Sequence, residues 1–257
     1  MPFIPNIDRK IFYRMWDVEN PVANVIFYHG GGEHSGLYHS LAHALNDRGF
    51  RVWSMDHVGH GHTHGGIAEH DYVRGFAKNG KELVKLVQKH SPELPLVISG
   101  HSMGGVTTSI IMSEDDAPEV AGIVLTGTPW EPIREFDPET TIMSTNPQYM
   151  DELDIDAQIC MHPGEPGFDD GKVMGEVQEK IKGKCVSWKF PVLFINGEFD
   201  PISLPQDMRQ WAEKLPNARA VCMKGGHHDI VCDFCHRSVE EIIGNFIFDI
   251  TCKDILR

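Results

Sequence analysis

The sequence predicts an α/β fold: a mostly parallel sheet with helices on both faces and a short cap insertion. Strand-length apolar runs alternate with longer segments of helical periodicity. A chain of 257 residues is long enough for one such domain with an insertion. One apolar run also ends in Gly-x-Ser-x-Gly ahead of a plausible helix, a turn that presents a serine at the edge of a sheet.

The elements follow in chain order. The β-branched and apolar runs predict strands over 10–16, 22–28, 50–55, 96–101, 122–126, 191–197 and 220–223. Apolar residues spaced by three or four, such as Leu37, Leu41 and Leu45, indicate amphipathic helices. These helices are expected over 36–48, 81–90, 104–112, 205–214 and 238–248.

The alternation breaks between about Trp130 and Lys189, where proline, glycine and acidic residues accumulate. We therefore expect a core of residues 1–129, a cap insertion of residues 130–189 and a second part of the core, residues 190–257. Within the insertion only 172–182 is predicted to be helical. An insertion between these strands should lie over the serine as a cap; the alternative, a mobile surface loop, is improbable because it would require sixty residues of pure loop in a compact domain.

Composition excludes several classes of function. A formal net charge of −14 disfavours nucleic acid and anionic membrane surfaces as partners. The first residues lack a basic start with a long apolar core, and no apolar run approaches the ~18 residues of a membrane span. Without export, the six cysteines are expected to be thiols, which predicts a cytoplasmic protein with no stable membrane insertion. The oligomeric state is left open.

The serine motif predicts nucleophilic catalysis. Ser102 should be the nucleophile, and the Met103 N–H, at a helix N-terminus, should face developing negative charge. Asp200, at the tip of a later strand, is the expected orienting acid, with Glu198 as its rival. A histidine pair follows, and because adjacent residues cannot both face the serine, His227 and His228 compete for the role of base.

Other motifs admit different chemistry. The glycines after His29 resemble an oxyanion loop, in which backbone N–H groups approach a substrate oxygen. The histidine-rich run 56–64 offers nitrogen ligands, but its intervening glycines make a poor rigid metal site. The run 232–236 matches a c-type haem attachment pattern, with a zinc site or ordinary thiols as alternatives. Ordinary thiols are the default, and neither a metal nor another cofactor is expected.

With these motifs the chain resembles the monoacylglycerol lipases and lysophospholipase-like serine hydrolases of the α/β-hydrolase fold. The likeness covers roughly 22–112 and 191–248, and it rests on the runs 29–38, 56–61, 100–105 and 196–200. It implies that Ser102, Asp200 and His228 form a catalytic triad and that the Gly31 and Met103 amides form the oxyanion hole. It also implies that the histidine-rich run is a structural feature of the family.

The chain departs from the family in two respects. Leu37 stands where the family often has arginine, and the insertion is shorter and more acidic than the apolar lid of lipid-docking relatives. We therefore expect a cofactor-free serine esterase that cleaves a small-molecule carboxylic ester through an acyl-enzyme. Lactonase, thioesterase and amidase activity, or a hydrolase-fold ligand receptor with little turnover, are the alternatives. Substrate contacts are predicted for Gly30, Gly32, His101 and Trp130.

Overall fold

The computed structural model of the chain describes residues 2–5, 9–66, 72–134, 137, 140–159 and 171–252. Its strands are β1 (Tyr13–Trp16), β2 (Ala23–Tyr28), β3 (Phe50–Met55), β4 (Leu96–His101), β5 (Gly122–Thr126), β6 (Val192–Gly197) and β7 (Ala218–Met223). Every residue of β2, β4, β5 and β6 is buried, as expected for strands with helices on both faces.

The strands form one sheet in the order β1-β3-β2-β4-β5-β6-β7. Only β1 is antiparallel to its neighbour, so the prediction of a mostly parallel sheet is confirmed. In the pairing of β4 with β5, His101 lies opposite Thr126. The carboxyl ends of the central strands therefore meet at one edge of the sheet, where open α/β sheets bind their ligands.

The helices are α1 (His39–Asn46), α2 (Tyr72–His90), α3 (Met103–Met112), α4 (Pro147–Ile155), α5 (Gly171–Cys185), α6 (Pro205–Lys214) and α7 (His236–Thr251). A short 3-10 helix, Ser35–Tyr38, precedes α1. Side chains of α1 and α7 pack into one apolar cluster, and those of α2, α3, α5 and α6 pack into another. Helices thus cover both faces of the sheet, as predicted.

Two helices depart most from the prediction, each for a physical reason. Helix α2 begins at Tyr72 rather than Lys81, because Val73 and Phe76 reach the core and offset the poor helix propensity of Gly75 and Gly80. Helix α4 was not predicted. Its acidic sequence buries only Tyr149, so it carries no apolar stripe that a periodicity search could find.

Helices α4 and α5 both lie between β5 and β6, within the expected insertion. The division into core and cap stays a prediction. Cys160, Pro163, Gly164, Pro166 and Gly167 lie outside the described residues. The cysteines that the structure describes are all unpaired thiols. None of the described helices is long and apolar enough to cross a membrane.

Candidate active site

Ser102 occupies the turn between β4 and α3, and its backbone is strained. Its φ is 49° and its ψ is −117°, a conformation that side-chain-bearing residues seldom adopt. Glycines on both sides permit it. A Cβ at Gly100 would lie 2.2 Å from the Gly104 carbonyl oxygen, and one at Gly104 would lie 2.0 Å from that of Tyr28. The sequence therefore folds into a tight turn only because these positions lack side chains.

The structure brings Ser102, His228 and Asp200 together. The Ser102 Oγ atom lies 2.9 Å from His228 Nε2, and His228 Nδ1 lies 2.8 Å from Asp200 Oδ1. Both His228 and Asp200 are buried, whereas Ser102 is partly exposed. A hydroxyl, an imidazole and a carboxylate joined in this order are the groups needed to activate an oxygen nucleophile.

Asp200 follows β6 and is held by the turn that it begins. Its Oδ1 atom accepts hydrogen bonds from the backbone N–H groups of Ile202 and Ser203, each at 2.9 Å. Burial alone would raise the pKa of Asp200, but the adjacent His228 and these two donors outweigh burial and lower it. The carboxylate is therefore ionised where it contacts the imidazole.

Burial also opposes protonation of His228. The negative charges of Asp200, Asp229 and Glu33 outweigh it, so the pKa of His228 lies above its ordinary value of 6.5. The site thus favours the imidazolium that a general base becomes after it takes a proton.

The two rival residues have other partners. His227 donates its backbone N–H to Asp233 Oδ2 at 2.8 Å, and its Nδ1 atom lies 3.2 Å from the same oxygen. Glu198 is exposed, and its Oε2 atom accepts the backbone N–H of Gly225 at 2.9 Å. Within the described residues, neither side chain hydrogen-bonds to Ser102 or to the His228 ring.

The backbone amides of the glycine loop after β2 differ in whether they have a hydrogen-bond acceptor. Gly30 donates its N–H to Glu33 Oε2 at 2.6 Å, and Gly32 donates to His60 Nε2 at 3.2 Å. Within the described residues, the N–H groups of Gly31 and Met103 have no acceptor. Gly31 is exposed, and Met103 opens α3, where the first amides of a helix lack internal partners. These two amides are the ones available to an anionic oxygen.

Two of the residues predicted to contact substrate are buried and have partners within the protein. Trp130 is fully buried, packs edge-on against Trp188, Phe194 and Trp211, and donates its indole N–H to Ser109. His101 is buried as well, with its ring against that of His228. The role of both residues in substrate binding stays a prediction. Gly30 and Gly32 are also buried, with the bonds described above.

Histidines under the loop serve as hydrogen-bond partners and packing surfaces. His29 Nε2 accepts the backbone N–H of His57, and the His57 ring lies 4.6 Å from that of Phe76. Burial lowers the pKa of both His29 and His57 far below 6.5, so both rings are neutral. Among the described residues, the only three potential metal ligands that converge are His101, His228 and Asp229. That set includes the candidate base.

Three polar residues near the site have no role that the sequence predicts. Tyr149 of α4 places its hydroxyl 2.9 Å from Glu33 Oε1 and 3.2 Å from Asp229 Oδ2. All three side chains are buried. Glu33 and Asp229 stand beside recognisable motifs, but only the fold reveals that a tyrosine far along the chain joins them.

Comparison with known proteins shows which proteins the chain is similar to. A family model described as serine aminopeptidase, family S33 (hydrolase 4), matches residues 19–144. Monoglyceride lipase of Mus musculus is 35% identical over 127 residues, which cover 49% of this chain and 42% of the mouse protein. The resemblance to the monoacylglycerol lipases is confirmed. The chain nevertheless spans less than half the length of this curated relative.

Solved structures support the fold along nearly the whole chain. Monoacylglycerol lipase of Paleococcus ferrophilus superposes with a TM-score of 0.77 at 21% identity, covering 94% of this chain and 99% of that one. A soluble variant of monoglyceride lipase from Saccharomyces cerevisiae gives 0.76 at 18% identity, with coverages of 96% and 94%. The chain has the α/β-hydrolase fold.

Proposed function

We propose that the chain is a serine hydrolase that cleaves small carboxylic esters through an acyl-enzyme on Ser102. The observation that carries this proposal is the continuous path from Ser102 Oγ through His228 to Asp200, with spacings of 2.9 and 2.8 Å. The similarity to monoglyceride lipases supports an ester as the substrate. Residues 130–189 are proposed to form the cap above the serine, and a cytoplasmic location stays a prediction.

In the proposed mechanism His228 removes the proton of Ser102 as Oγ attacks the ester carbonyl carbon. The carbonyl oxygen becomes an oxyanion, which the Gly31 and Met103 amides stabilise, and each such donor typically contributes about 3 kcal/mol. His228 then gives its proton to the departing alkoxide. Water repeats the sequence: His228 takes its proton, hydroxide attacks the acyl-enzyme, and the acid leaves as Ser102 regains its proton.

A labelling experiment tests the proposal. An organophosphorus fluoride should add one label per chain, and Ser102→Ala should lose both the label and ester turnover. Ser99→Ala is a matched control, because Ser99 is buried in β4 three residues earlier. Label or turnover that persists in Ser102→Ala would overturn the assignment.

Substrate classes separate the alternatives. Lactones, thioesters and amides can enter the same mechanism, so relative kcat/KM values on matched acyl groups decide among them. A ligand receptor with little turnover would show an acylation burst without steady release of product. Steady turnover on a simple ester would exclude that reading.

A further inference from the structure

A second carboxylate lies beside the candidate base. Asp229 follows His228 in the chain, and one of its oxygens lies within 4.8 Å of a ring nitrogen of His228. The His101 ring stands against that of His228, with the centroids 5.0 Å apart. His101 Nε2 is 3.4 Å from Asp229 Oδ1. Neither Asp229 nor His101 has a task in the mechanism proposed for Ser102, His228 and Asp200.

Residues between β5 and β6 hold Asp229 in place. The Tyr149 hydroxyl of α4 lies 3.2 Å from Asp229 Oδ2. The Asp229 backbone N–H donates to the Met143 carbonyl oxygen at 2.9 Å. The turn that carries His228 is therefore fastened to a segment more than seventy residues earlier in the chain.

The same tyrosine reaches the glycine loop. Its hydroxyl lies 2.9 Å from Glu33 Oε1, and Glu33 Oε2 accepts the Gly30 N–H and the Tyr38 hydroxyl. One phenol proton can serve only one of the two carboxylates at a time. Two acidic groups therefore share one donor in a buried site, where their charge acts strongly on the neighbouring imidazole.

We propose that Asp229 is a positioning residue for His228, held by Tyr149 and His101, and that its charge stabilises the His228 imidazolium during catalysis. The inference deepens the proposed function and rests on it. It links helix α4 to the chemistry, because the loss of the Tyr149 hydroxyl would loosen both Asp229 and the glycine loop.

Several titratable groups surround His228 and Asp229 and contribute to the electrostatic field at the imidazole. His228 faces Asp200, His101 and the hydroxyl of Ser102. Asp229 faces His101 and Tyr149, and beyond Tyr149 the electrostatic neighbours are Glu33, Tyr38 and Cys232. After the opposing effect of burial, Asp200, Asp229 and Glu33 all raise the pKa of His228.

The substitution Asp229→Asn tests the inference because it removes the carboxylate charge and keeps the shape of the side chain. In Asp229→Asn the amide oxygen can still accept from His101, and the amide nitrogen can donate to the Tyr149 oxygen. The His228 ring is titrated by NMR in isotope-labelled protein, with His228→Gln to assign its signal. We expect the titration midpoint and the acid limb of kcat/KM to fall by about one pH unit, with a several-fold loss in kcat and little change in KM.

Tyr149→Phe should move the midpoint in the same direction, because Asp229 then loses a hydrogen-bond partner that holds its carboxylate beside His228. Tyr28→Phe is the matched control: it also removes a buried phenol hydroxyl, one that donates to the Gly80 carbonyl, and should leave the midpoint unchanged. A midpoint in Asp229→Asn equal to that of the parent chain would overturn the inference. If Asp229→Asn does not fold, an unshifted His228 titration midpoint in Tyr149→Phe would overturn the inference instead.

The two proposals fail separately. An absence of ester turnover in the parent chain would refute the proposed function, while the NMR midpoint still decides whether Asp229 acts on His228. Normal turnover with an unshifted midpoint would refute the role of Asp229 alone.

Discussion

His227 is fixed to Asp233, although it is the immediate neighbour of His228. The same carboxylate oxygen accepts the His227 backbone N–H at 2.8 Å and lies 3.2 Å from His227 Nδ1. Asp233 Oδ1 also accepts the backbone N–H of Thr145 at 2.7 Å. The histidine pair is thus divided: one ring anchors a turn, and the other reaches Ser102.

This division predicts unequal effects of substitution. His228→Ala should lower kcat by about 10⁴-fold or more, because removal of the base leaves only the oxyanion hole and binding. His227→Ala should cost less than about 10-fold, since it removes one partner of Asp233 and leaves the path to Ser102 intact. Steady-state kinetics on one soluble ester would check both, and a larger loss in His227→Ala would contradict the assignment.

The raised pKa of His228 predicts the pH dependence of the reaction. A general base works in its neutral form, so activity is lost as pH falls through the pKa of the imidazole. Because Asp200, Asp229 and Glu33 outweigh burial, the midpoint of the acid limb should lie above 6.5. A kcat/KM profile from pH 5 to 9 measures it. A limb centred below 6.5, or a flat profile, would disagree with this electrostatic account.

Much of the fold could be predicted because local sequence patterns and the final packing favour the same strands and helices. The limits of β3, β5 and α6 match the prediction, since apolar runs and Pro205 mark them clearly. Ser102 and Asp200 could also be predicted, because each follows a strand at the same edge of the sheet, whereas only the family resemblance favoured His228 over His227. The glycines of the turn also indicate the strained backbone at Ser102.

The remainder depended on long-range packing. Tyr149 lies in a helix with no apolar stripe, and its partners Glu33 and Asp229 stand 116 and 80 positions away. The burial of Trp130 depends on long-range packing in the same way. A tryptophan just after a strand can line a pocket or fill the core, and only the positions of Trp188, Phe194 and Trp211 decide between these.

The neutral histidines predict acid lability. His29 and His57 have folded-state pKa values well below 6.5, so the unfolded chain binds protons first as pH falls. Stability is therefore lost as pH falls from 6.5 toward the folded-state values, by about 1.4 kcal/mol per pH unit for each ring. His228 contributes with the opposite sign, because its raised pKa adds stability below 6.5 that is lost as pH rises.

His57→Phe should remove one of these contributions. Neither nitrogen of the His57 ring has a partner within the described residues, and the ring packs on Phe76, so phenylalanine suits the site. Relative to the parent chain, the variant should gain about 1.4 kcal/mol of unfolding free energy per pH unit below 6.5. Urea titrations at pH 5, 6 and 7 measure it, with exposed His64→Gln as control. Parallel stability curves would contradict the prediction.

The acidic surface of α4 predicts a preference for soluble short- or medium-chain esters over emulsified lipid. Asp151, Glu152 and Asp154 are exposed there, whereas docking at a lipid interface favours an apolar face with basic neighbours. Ile155 is 83% exposed and is the side chain most able to oppose this expectation. Each buried CH₂ of the acyl chain contributes about 0.8 kcal/mol, so kcat/KM should rise about fourfold per carbon for as long as added carbons are buried. Rates at substrate concentrations below and above the critical micelle concentration should follow one saturation curve, and Ile155→Ser should not change these rates. A rate that jumps when long-chain substrate aggregates, and that Ile155→Ser abolishes, would instead make α4 an interfacial docking element.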